Sequence, residues 1–134
     1  MDWKLEVIVV PVSDVDRSKK FYTEQLGFNV DVDHEDGDFR VVQMTPPGSA
    51  CSITIGSNIN PSEPGTLGGL QVTVNDIEQA HRELVARGVE AGEIQHFVHG
   101  QPTPGPDPDR APFNSFIFFA DPDGNRWAIQ EGPR

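Results

Sequence analysis

Cysteine occurs once in the chain, as Cys51. An intrachain disulfide is therefore excluded, and a reducing compartment suits the sequence. Between Ala50 and Ser52 in a predicted strand, the thiol reads as a buried, inert side chain rather than a nucleophile. Basic residues are scarce as well: 10 Lys and Arg stand against 21 Asp and Glu, for a formal net charge of −11. That balance argues against a sequence-independent phosphate-binding surface, so nucleic acid is not an expected partner. Long apolar runs are also missing. None reaches the roughly 20 residues needed to span a bilayer, and residues 1–10 lack the basic start and small-residue cleavage site of a secretory signal. The expectation is a soluble cytoplasmic protein with no membrane partner. Acidity of this size serves solubility first, and as a steering field it favours a cationic ligand.

What the chain does have is a repeated order of elements. Its 134 residues suit one compact domain, or two small modules sharing a sheet, and apolar runs such as VIVVPV and FIFF suffice for a core. Residues 4–12, KLEVIVVPV, read as a strand. SDVDRSKKFYTEQLG then reads as a helix, with Ser13 or Asp14 as N-cap and Gly27 closing it. FNVDVDHE, FRVVQMT and ACSITIG, separated by turns at DGD and PPGS, form a three-strand meander. After a loop rich in Pro, Gly, Asn and Ser, the order begins again: strand LGGLQVTV, helix NDIEQAHRELVARG capped by Asn75 or Asp76 and stopped by Gly88, then strands EIQHFVH, NSFIFFA and NRWAIQE. PVSDVDRS lies over TVNDIEQA, LGF over RGV, and PPGS over DPDG, which gives a repeat of about 60 residues.

Strand alternation assigns faces. Leu70, Val72 and Val74 oppose Gly69, Gln71 and Thr73; Trp127 and Ile129 oppose Arg126, Ala128 and Gln130; Cys51, Ile53 and Ile55 oppose Ser52 and Thr54. The apolar sets need the cover of two amphipathic helices, through Phe21, Leu26, Ile77, Ala80 and Leu84. The other face is small or neutral-polar and includes Gln43. It reads as the lining of a cavity enclosed by two curved sheets, the simpler alternative being a solvated sheet face.

The paired strand-helix-strand-strand-strand units, the opening VSDVDRSKKFYTEQLGF and the turn DPDGNRW together resemble the vicinal oxygen chelate superfamily, which holds glyoxalase I, bleomycin resistance proteins and extradiol dioxygenases. The resemblance covers nearly the whole chain. It implies one α+β domain over 1–134, with module 1 at about 4–56 and module 2 at about 67–131. Two βαβββ modules then form a cupped, mostly antiparallel eight-stranded sheet with helices on its convex face, commonly in a homodimer. Metal-using members of the family place His, Glu or Gln on the first, fourth, fifth and eighth strands. Here the resemblance puts those positions at Val7, Thr54, Gly69 and Ala128. Divalent ions need carboxylate, imidazole or thiolate donors, and a threonine hydroxyl alone is too weak. Sliding by two residues yields only Leu5 or Val9, Ser52 or Gly56, Leu67 or Gln71, and Arg126 or Gln130. The expectation is a protein without metal and without another cofactor.

The remaining motifs are less specific. His96 and His99 in HFVH point to opposite faces of an extended strand and lack an acidic neighbour, so they read as single polar or pocket-lining residues. His81 is placed on the exposed side of the second helix and His34 near a hairpin tip. GQPTPGPDPDRAP, residues 100–112, is expected not to continue a sheet, and it reads either as a connector or as a flap with Asp107, Asp109 and Arg110 as polar contacts. If DPDG is a four-residue loop, Ile117 pairs with Ala128 and Phe119 with Arg126, both toward the cavity, while Phe118 joins Trp127 under the helix. The expected ligand-lining set is thus Val7, Gln43, Thr54, Gly69, Gln71, His99, Ile117, Phe119, Arg126, Ala128 and Gln130. The leading functional expectation is metal-independent binding of an organic small molecule, as in bleomycin-type resistance proteins. The alternatives are an isomerase, lyase or glyoxalase-like enzyme, with His99 or Asp107 as general base, and a non-catalytic scaffold.

Overall fold

The computed structural model describes residues 1–133. The chain runs through β1 (Val7–Val9), α1 (Val15–Lys20) continued by a π-helical turn (Phe21–Gln25), β2 (Asn29–Asp36), β3 (Phe39–Thr45) and β4 (Ser52–Ser57). It then repeats with β5 (Leu70–Val74), α2 (Ile77–Ala86), β6 (Gln95–Val98), β7 (Gln101–Pro104), β8 (Phe116–Ala120) and β9 (Arg126–Glu131). The α+β class is as expected, and so is the βαβββ order of the first half; the second half adds one strand, β7, to that order. The hydrogen bonding differs from a single eight-stranded sheet: the strands form one sheet ordered β1-β4-β3-β2 and another ordered β5-β9-β8-β6-β7. In each sheet one pair is parallel, β1 with β4 and β5 with β9, and the rest are antiparallel.

Two compact units result: Met1–Leu67 with Asp121–Asn125, and Gly68–Ala120 with the strand that begins at Arg126. In the first, Asp14 is the N-cap and accepts from Arg17 N at 3.0 Å. In the second, Asp76 accepts from Glu78 N and Gln79 N at 3.0 and 3.2 Å. These side chains satisfy amides that have no partner within the helix, a cap worth about 1 kcal/mol. Gly27 and Gly88, at φ of 76° and 81°, end the helices in the left-handed conformation that a Cβ disfavours.

The first unit buries Val10, Phe21, Tyr22, Val42, Met44, Ile53 and Ile55, and the second buries Leu70, Ile77, Leu84, Ile117, Phe119, Trp127 and Ile129. Of the helix residues expected to cover the sheets, Leu26 and Ala80 are only half-buried. At the edge of the first unit Arg40 bridges Asp33 at 3.1 Å and Asp16 at 2.7 Å, and Lys19 reaches Asp33 at 2.7 Å. The Arg40 guanidinium, seconded by Lys19, holds the Asp33 carboxyl down at about 2.

The turn Asp121–Asn125 belongs to the first unit because its side chains are tied there. Asp121 Oδ1 accepts from Asp123 N and Asn125 N, and Oδ2 accepts from Tyr22 Oη at 2.7 Å and from Asn125 Nδ2 at 2.8 Å. Asn125 Nδ2 also donates to Pro11 O, and its Oδ1 accepts from Leu67 N. Gly65 has to be glycine beside this turn: a Cβ there would lie 2.0 Å from Asp123 O.

The Pro-rich stretch does continue the sheet, contrary to expectation. Gln101–Pro104 forms β7 at the sheet edge, with Phe97 opposite Pro102 and Gln95 opposite Pro104. An outer strand can accept prolines because one row of its backbone groups needs no ladder partner. The following loop is stitched down. Asn114 clasps Phe97 through both its N–H and C=O, Ser115 Oγ accepts from Asp107 N, and Phe113 N donates to Glu131 O. Arg110 anchors it further with bonds to Glu131 at 3.0 and 2.5 Å and to Glu78 at 2.7 Å.

Candidate functional site

Each sheet turns one face to its helix and leaves the other open. In the first unit the open face carries the row Val9, Thr54, Gln43 and Val32, set by register across four strands. Val7 lies one row away beside Ser52. There the Ser52 and Thr45 hydroxyls share a hydrogen bond of 2.6 Å, and Thr45 bonds onward to Asp31. The expected residues Val7, Thr54 and Gln43 therefore share one face.

The second unit is more sharply defined. Its open face holds the row Gln71, Ala128 and Phe118, followed by Thr73, Gln130, Phe116 and Gln95. Gln71 Nε2 donates to Gln130 Oε1 at 2.9 Å, and Gln130 Nε2 donates to Phe113 O at 3.0 Å. Phe118 stacks on Phe116 with centroids 5.9 Å apart and planes 7° apart, while Phe97 meets Phe116 edge-on at 5.4 Å. These are favourable geometries for the ring quadrupoles. Beside them a hollow of about 260 Å³ is bordered by Gly69, Gln71, Phe118, Arg126 and Ala128.

Two expected lining residues sit on the opposite face. Ile117 pairs with Ile129 and Phe119 with Trp127, so both join the buried core, where Phe119 and Trp127 stack at 6.1 Å. The cause is the turn. Asn125 is committed to Asp121, Pro11 and Leu67 and stays out of the ladder, so the loop holds five residues, 121–125, and Ala120 pairs with Arg126. One added residue inverts the faces of β8 against β9. Phe118, read as core from the sequence, and Phe116 are the aromatics on the open face.

The histidines also move from their expected places. His99 occupies the β6–β7 hairpin turn with Gly100, at φ of 50° and 79°, and is exposed away from the hollow. Such a two-residue turn with both φ positive matches the twist of a hairpin. His96 is buried with Nδ1 2.7 Å from Gly105 O. His81 is half-buried rather than exposed, with Nε2 shielded from solvent and lacking a hydrogen-bond partner. Asp107 is buried, and donation from Asn114 and from Asp109 N keeps its carboxyl below the usual range. A carboxylate so stabilised is a weak base, and Asp107 borders no part of the hollow.

The resemblance assigns metal positions to two residues of each unit. Val7 and Thr54 in one unit, and Gly69 and Ala128 in the other, offer a single hydroxyl and no carboxylate or imidazole. Neither pair offers the donors that a divalent cation needs. Among the described residues, no three His, Cys, Asp or Glu side chains are grouped so as to hold one elsewhere.

Comparison with known proteins agrees with the fold. The Glyoxalase/Bleomycin resistance protein/Dioxygenase superfamily model matches residues 4–129. Among solved structures, TnmS3, an antibiotic binding protein from Streptomyces sp. CB03234, is 27% identical, with a TM-score of 0.76 over 98% of this chain and 97% of that one. A glyoxalase/bleomycin resistance protein from the same organism is 28% identical, with a TM-score of 0.72 over 95% and 99%. A superfamily member from Sphaerobacter thermophilus DSM 20745 is 26% identical, with a TM-score of 0.74 over 97% and 98%. No curated protein matches the chain.

Proposed function

The chain belongs to the Glyoxalase/Bleomycin resistance protein/Dioxygenase superfamily, and from that premise we propose that it binds an organic small molecule on its open sheet faces without a metal ion. The observation that carries this reading is the aromatic shelf of the second unit. Phe118 is 40% exposed and stacked on Phe116, over a floor set by the small Ala128 and beside the amide of Gln71. A large ring left in water next to a hollow and a few polar groups is what a recognition surface for a flat organic molecule requires. Ala128 matters as an absence: with no long side chain there, the space opposite Phe118 stays available. Support also comes from the likeness to TnmS3, an antibiotic binding protein. The test is isothermal titration against a broad panel of cationic glycopeptide, aromatic and aliphatic compounds. Saturable binding to at least one aromatic compound, weakened by Phe118→Ala and unchanged after chelator treatment, is the expected result. Silence across the panel, or binding that needs added metal, contradicts it.

The same reading includes a homodimer. Trp3 and Leu5, ahead of β1, are 89% and 70% exposed. Large apolar side chains so placed mark a surface that another protein covers, and a second copy is the occupant this family reading suggests.

A further inference from the structure

The hollow of the second unit contains one charged side chain, Arg126. In a chain with twice as many acids as bases, a guanidinium near the surface usually finds a carboxylate, and Arg17, Arg40 and Arg110 all do. The Arg126 guanidinium, like that of the exposed Arg82, makes no hydrogen bond or ion pair with the described residues. Its position is nevertheless defined by its neighbour. A Cβ on Gly68 would lie 2.3 Å from Arg126 Nη2 and 2.9 Å from Cζ, so the guanidinium rests on the bare glycine backbone. Glycine at 68 thus serves to seat the arginine, since no positive φ calls for it there.

Resting on the binding reading above, we propose that the ligand class is a flat aromatic compound bearing an anionic oxygen, such as an aryl carboxylate or phenolate. Its ring stacks on Phe118 and its oxygen is taken by Arg126. The five N–H donors of a guanidinium form a planar fork that matches two oxygens of a carboxylate, and no acidic residue competes for them here. The net charge of −11 points the other way, toward a cationic ligand, but the two effects act at different ranges. Surface charges more than about 8 Å away are largely screened at physiological ionic strength, whereas Arg126 acts at hydrogen-bond distance. Acidic charge therefore slows the encounter, and the contact residue decides the class. A cationic ring would instead meet Arg126 as a like charge.

Three congeners of one ring system separate charge from shape: 2-anthracenecarboxylate, its neutral carboxamide and 2-(aminomethyl)anthracene, each titrated calorimetrically into the full chain. The carboxylate is expected to bind about tenfold more tightly than the ammonium congener, the effect of one charge-assisted contact. Arg126→Gln reduces that preference to about twofold or less and weakens the carboxamide less than the carboxylate. Gly68→Ala does the same by displacing the flexible end of Arg126, and Phe118→Leu weakens all three. Equal binding of the three, or preference for the ammonium, overturns the anionic class while leaving the binding reading intact. If none of the three binds but another panel compound does, the flat-aromatic class falls. If nothing in either set binds, both readings fall.

Discussion

At the scale of single residues, the turn Asp121–Asn125 shows how a short polar motif controls a distant face. Asn125 is fully buried, and its side chain bonds to Pro11 O, Leu67 N and Asp121. Asn125→Ala leaves several of these groups unsatisfied in the interior, and the expected loss is about 1–3 kcal/mol for each group water cannot reach. Chemical denaturation should show a lower midpoint with an unchanged slope. Tyr22→Phe removes one bond to Asp121 and should cost less. A second prediction concerns acid. Asp33 sits at about 2 in the fold against 3.8 for an ordinary aspartate, so the unfolded chain binds its proton more readily. The stabilisation it supplies is full above about pH 4 and disappears as the pH falls through about 2. Asp33→Asn should flatten the melting temperature against pH between those values. Residue identity alone shows that Val7, Gly69 and Ala128, which the resemblance assigns to metal positions, carry no donor side chain. It could not show that Asn125 belongs to the turn, since that depends on partners at Pro11 and Leu67. The faces of Ile117, Phe118 and Phe119 were misread for the same reason.

At the scale of elements, capping and periodicity carried most of the reading. Asp14 and Asp76 cap their helices and Gly27 and Gly88 end them, as the local sequence indicates. The Pro-rich stretch misled because proline excludes a central strand but not an edge one, and edge position is set by the sheet rather than by the segment. The loop after β7 is held chiefly by Arg110. Glu131 is completely buried and also accepts from Ile77 N at the start of α2, so Arg110 neutralises a charge that has no access to water. Glu131 and Glu78 in turn push the Arg110 guanidinium above its usual range, so Arg110 stays charged at any ordinary pH. Arg110→Ala should destabilise the protein by about 3–5 kcal/mol, since it removes the guanidinium that balances the buried Glu131 carboxylate. Adding Glu131→Leu to Arg110→Met should recover much of that loss, because a buried pair replaced by apolar groups is often neutral. Thermal denaturation of the single and double variants reads both effects.

At the scale of the whole molecule, duplication is what the sequence disclosed most clearly, through PVSDVDRS over TVNDIEQA and the recurring element order. The two units share that order, apart from the added β7, but differ in chemistry. The first presents Thr54, Gln43 and a hydroxyl chain to Asp31, and the second presents stacked rings with an arginine that has no side-chain partner among the described residues. Association is expected to be concentration-dependent and to involve Trp3 and Leu5. Sedimentation velocity should give a dimer for the native chain and a monomer after Trp3→Asp with Leu5→Asp, and a native monomer at tens of micromolar would rule the dimer out. The central claim is metal-independent binding on the aromatic face, and it is tested most directly by titrating chelator-stripped protein with 2-anthracenecarboxylate in the absence and presence of added divalent cations. The account predicts one ligand per chain with an affinity that metal does not change. Binding that appears only when the cation is restored would contradict it.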